Sequence, residues 1–118
     1  MNYDKLCKDV LETDKAVRFA GIYGKNGELL ASAMRENTEA LLTPDEVKMS
    51  LYHAKLRWDT RKALAHRLGK EKYSMTEYEK IKRVSIPVEE NQLLLVSMET
   101  NVDHARTIDR ICNLISEQ

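Results

Sequence analysis

Residues 43–68 constrain the fold more than any other stretch, because they carry helical periodicity on two sides at once. At about 100° per residue, Val47, Leu51, Ala54, Trp58 and Ala65 fall on one face, while Met49, Tyr52, Leu56 and Ala63 fall almost opposite. A surface helix needs one apolar stripe. Two stripes predict packing on two sides, with one face on the chain's own sheet and the other on a partner. Trp58 sits in the middle of the sheet-facing stripe and reads as core. Tyr52 lies in the second stripe beside Met49 and Leu56, and Tyr and Met are enriched at interfaces. A cover from within, by the loop 35–42 or by the last helix, is the alternative for that stripe. Between the stripes runs a column of Lys48, Lys55 and Lys62, continued by His66, so the side that meets water is a basic docking face.

Local signals bound this helix. Thr43-Pro44-Asp45-Glu46 combines an N-cap threonine, proline at the first helical position and a glutamate three residues after the cap. Gly69 supplies a C-terminal stop. A helix of about 25 residues spans ~40 Å, against ~20 Å for a typical strand, so part of it is expected to overhang its sheet. Upstream, Tyr3, Leu6, Cys7, Val10 and Leu11 predict a helix over 2–14. Residues 16–23 and 28–34 read as strands joined through Gly24-Lys25-Asn26-Gly27, where Asn-Gly marks a tight hairpin. Downstream, 70–78 reads as a polar edge strand alternating Tyr73 and Met75 against Lys72, Ser74 and Thr76. Residues 81–88 and 93–99 form a stronger hairpin, with Pro87 near the end of its strand. A last helix begins at about Val102 with Asn101 as cap, presenting Ala105, Ile108, Ile111, Cys112 and Ile115 on one face. The order α-β-β-α-β-β-β-α predicts an α+β fold: one domain over 1–118, with a single antiparallel five-stranded sheet and helices on both faces.

Little in the chain suggests chemistry. Gly21, Gly24 and Gly27 are spaced like a phosphate loop but lie in a hairpin, not before a helix. His53, His66 and His104 are too scattered for a metal site. Ser32, Ser85 and Ser97 lie in strands without an elbow or a neighbouring base, and Glu89-Glu90 and Glu77 to Lys80 read as solvated turn charges. Cys7 and Cys112 sit among apolar residues and read as reduced core cysteines. The expectation is no enzyme, no cofactor and no metal. Nineteen basic residues balance nineteen acidic ones, but residues 47–72 hold eight Lys or Arg against Asp59 and Glu71. That local excess leaves open nucleic-acid binding through Lys48, Lys55, Arg57, Lys62, Arg61 and Arg67, with steep salt dependence. No leader-like segment and no span of about 18 apolar residues occurs, so a cytoplasmic protein off the membrane is expected.

The first hairpin, AVRFAGIYGKNGELLASA, and the later KRVSIPV with LLLVSM, arranged around the long central helix, resemble the dynein light chain roadblock family, which shares a profilin-like fold. The likeness runs from Leu6 to Ile115 and extends to small archaeal proteins of that group. It implies a homodimer or heterodimer whose central helices pack together and whose third strands pair, placing Met49, Tyr52, Leu56, Ala63, Tyr73 and Met75 in the seam. It also implies a scaffold or regulator for a small GTPase or a signalling complex. A sensor of PAS type, holding a small ligand between sheet and helix, is the alternative.

Overall fold

A computed structural model describes residues 1–118. The elements are α1 (Tyr3–Leu11), β1 (Val17–Tyr23), β2 (Leu29–Met34), α2 (Pro44–Ala63), α3 (Ala65–Leu68), β3 (Ser74–Glu77), β4 (Lys82–Val88), β5 (Gln92–Met98) and α4 (His104–Ser116). All strand pairs are antiparallel, in the spatial order β2-β1-β5-β4-β3. The α+β class, the five strands and the helices on both faces match the expectation, and α3 is the added element. Local hairpins make β1–β2 and β4–β5, while the sheet is joined at its centre by the long-range pairing of β1 with β5. β2 and β3 are left as edges.

Strand alternation assigns the two faces. Rows running Ala33–Ala20–Val96–Val84–Met75 and Ala31–Ile22–Leu94–Ile86 point to α1 and α4, where Leu6, Cys7, Val10, Ile108 and Ile111 complete a cluster of 16 buried residues. On the other face Tyr23, Leu93 and Leu95 meet Leu51, Ala54 and Trp58 of α2 in a cluster of 6. Lys82 follows the inward alternation of β4 and is itself buried, with its Nζ 3.2 Å from the Val102 carbonyl and 3.0 Å from His104 Nδ1.

Several boundaries differ from the sequence reading. The central helix ends at Ala63, not at Leu68. There the backbone tightens: Leu64 N–H donates to Arg61 O, and Arg67 N–H donates to Leu64 O in place of Ala63 O. The Ala63 carbonyl thus freed accepts from His66 Nδ1 at 3.0 Å, and Gly69, at φ 86°, closes the short α3. α1 stops at Leu11 because the Thr13 hydroxyl turns back to Val10 O and the Asp14 carboxylate accepts from Ala16 N–H. β3 is only four residues long, since Glu71 is drawn toward α2 instead of into the ladder. α4 is capped by Asp103, whose Oδ1 accepts from Arg106 N–H, and not by Asn101. The turn before it carries Val102 into the core.

Candidate interaction face and the cavity beside it

α2 is set by its start. Thr43 Oγ1 accepts from Glu46 N–H at 3.2 Å and Glu46 Oε1 accepts from Thr43 N–H at 2.9 Å, a closed capping box. The Thr43 amide, and then its hydroxyl, hold the Glu46 carboxyl below the usual range. From there the helix buries one side only: Leu51 is 3% exposed and Trp58 7%, whereas Met49 is 59% exposed, Tyr52 63% and Leu56 46%. The loop 35–42 and α4 leave this second stripe uncovered. Ala63 is exposed too, and Leu64, Leu68 and Tyr73 add exposed apolar surface further along the chain. Met75 departs from the group: it turns to the other face of the sheet and packs against the α1–α4 core.

The basic column is less free than a bare pattern suggests. Lys62 Nζ lies 4.8 Å from the Trp58 ring centroid and Lys55 Nζ lies 5.8 Å from it, so their stems and charges close over the indole. Lys55 also donates to Lys25 O at 2.8 Å, tying α2 to the first hairpin. Lys48 is exposed and makes no such contact, and His66 is engaged at the end of α2. Arg61 pairs with Glu71 Oε1 at 3.0 Å and donates to Ser74 Oγ, which fastens α2 to β3. Glu71 Oε2 is buried without a partner.

α2 does not reach the whole of its sheet face. It covers the row of Gly21 and Leu95 and the row of Tyr23 and Leu93, but reaches the next row, Met34–Phe19–Ser97–Arg83, only at its Arg83 end, through Ser50. Above that row, residues 38–42 and Val47 partly roof a half-open cavity of about 240 Å³ that is mostly apolar. Two arginines pin the roof's ends. Arg18 pairs with Glu99 Oε1 at 3.0 Å and donates to Glu39 O at 2.8 Å; Arg35 donates from Nε to Val17 O and from Nη2 to Leu11 O. Burial pushes the Tyr23 phenol up, and the nearby Arg83 charge partly offsets this. A separate open depression between the C-terminal parts of α1 and α4 is lined by charged and polar side chains with Leu114 alone apolar.

No three His, Cys, Asp or Glu side chains converge. Burial, reinforced by Asp4, pushes the Cys7 thiol up to about 11, and burial also raises Cys112, so neither is a ready thiolate nucleophile. No helix is long and apolar enough to cross a membrane. The sequence reading missed the cavity and Arg83. The one available signal was the alternation of β4, which sets Arg83 opposite Val84, Ile86 and Val88 on a face where no acidic residue accompanies it.

Comparison with protein families matches residues 1–118 to the family of unknown function DUF6659. Comparison with curated proteins returns no match. Among solved structures, a Roadblock/LC7 domain from Streptomyces avermitilis aligns with a TM-score of 0.72 at 13% identity, covering 99% of this chain and 94% of the other. The gliding protein MglB from Thermus thermophilus aligns at 0.65 and 15% identity, covering 97% and 88%. Profilin IA from Acanthamoeba castellanii aligns at 0.57 and 16% identity, covering 98% of each chain. At such identities the likeness is one of fold: the chain has a roadblock/profilin-like architecture.

Proposed function

The chain belongs to the family of unknown function DUF6659, and from that premise we propose that it is a non-enzymatic interaction module that works as a homodimer. One observation carries this reading. α2 already buries an inward face, yet Met49, Tyr52 and Leu56 remain exposed on its outward face at successive helical turns. A second copy supplies a matching stripe by symmetry, since a two-fold interface uses the same patch on both subunits. The β3 edge lies on the side to which Arg61 anchors α2, so pairing of β3 with its symmetry mate extends the same seam and includes Tyr73. Ala63 continues the seam toward the end of α2. MglB, which shares the fold, has been solved in a tetrameric arrangement, and that supports assembly as the working state of this architecture.

In the dimer, the two α2 helices bring their basic flanks together, with Lys48 the freest member and Lys55, Lys62 and His66 beside it. The surface suits an acidic protein partner, and the scaffold or regulator role for a small GTPase or signalling complex is the one the fold supports best. A Tyr52→Glu, Leu56→Lys double variant tests the seam by light scattering. The expected result is a monomer with the wild-type circular dichroism spectrum; a dimer unchanged by both charges removes the proposal.

A further inference from the structure

The cavity beside α2 joins an apolar lining to an arginine, Arg83, that forms no ion pair, although Glu39 also lies along the lining. Arg83 is half-buried, and its single side-chain hydrogen bond runs from Nη1 to Ser50 Oγ at 2.8 Å. None of the chain's four ion pairs involves it. Arg18 and Arg61 each have a glutamate, and Arg35 is spent on backbone carbonyls. A guanidinium carries five donors in a fork shaped for carboxylate, and partial withdrawal from water without an anion is unfavourable.

Around that group the sheet row supplies Phe19 and Met34, and the roof supplies Leu41 and Leu42. The rings are held by a close approach: a Cβ at Gly21 would lie 2.7 Å from Phe19 Cζ and 3.2 Å from Tyr23 Cε2, so the missing side chain is what lets both rings lean over the strand. The cavity's 240 Å³, half open to solvent, has room for a short aliphatic chain. A phosphate would leave the apolar lining unused, and a neutral hydrocarbon would leave Arg83 unpaired. We propose that this cavity binds a small amphipathic carboxylate, an aliphatic acid of about eight carbons, with its head on Arg83 and its tail between Phe19, Met34, Leu41 and Leu42. The site is lined by none of the outward residues of α2, so it stands or falls apart from the dimer.

Titration calorimetry on the full chain with octanoate, octanol and acetate tests this, paired with methyl NMR of the methionines and leucines. Octanoate is expected to bind one per chain, at least about tenfold tighter than octanol or acetate, because a charge-assisted pair adds to the apolar contacts. Its shifts should centre on Met34, Leu41 and Leu42. Arg83→Met should remove the preference for the acid while leaving octanol binding intact, a readout that a misfolded variant could not give. Octanoate no tighter than octanol, undiminished octanoate binding by Arg83→Met, or shifts centred on Met49 and Leu56 would each overturn the proposal.

Discussion

The two faces of the sheet are finished differently. On one, α1 and α4 close a core of 16 buried residues within the chain; on the other, α2 alone completes a cluster of 6, three of them its own, and leaves a cavity and an exposed apolar stripe. α1 and α4 are strongly amphipathic, whereas α2 divides its apolar residues between opposite sides. The lesson is one of division of labour. The first face holds most of the buried core, and the second holds α2 by a smaller cluster and leaves its outer surface exposed.

The largest expected effect sharpens this contrast. Leu94→Ala, at the centre of the two-helix face, should destabilise by roughly 2–5 kcal/mol in urea unfolding. Leu56→Ala should change the stability of the isolated chain by no more than about 0.5 kcal/mol. Comparable losses at low protein concentration would mean that the stripe is internal and the contrast false. A smaller effect is expected at Gly21→Ala, about 1–3 kcal/mol, because the new methyl group must displace the Phe19 ring. The same unfolding measurement checks it, and a neutral substitution would show the α2 face to be looser than its geometry.

Among the destabilising changes, the smallest loss is expected at the helix start. Thr43→Ala should lower stability by about 1 kcal/mol. Glu46 has a lowered folded pKa, so its contribution is present above the ordinary glutamate range and is lost as pH falls through the folded value. Thermal unfolding of Glu46→Gln should therefore differ from wild type at neutral pH and converge with it in acid; a gap that widens on acidification would contradict the capping box.

What was legible in the sequence was local. The box at Thr43 to Glu46, the Asn26-Gly27 hairpin and the inward stripe of Leu51, Ala54 and Trp58 depend on residues a few positions apart, and all appear as read. The break at Leu64 was hidden because the apolar period runs through it, while the tightened backbone there leaves the Ala63 carbonyl to His66. Asn101 and Asp103 are both good caps, and the choice between them follows from Val102 entering the core. The cavity depends on register between strands almost 80 residues apart: only when Phe19 pairs with Ser97, and Ser97 with Arg83, do those side chains share a row. The position of Met75 on the far face likewise needed the β3–β4 register, although its alternation with Ser74 and Thr76 was visible.

In the proposed dimer the outward stripe of α2 joins two copies of the chain. Light scattering of the wild-type protein across a dilution series, at low and high salt, tests it most directly. The expected result is a mass of two chains that persists as salt rises, as an apolar seam requires. A monomer at every concentration, or a dimer that dissociates on adding salt, would contradict it.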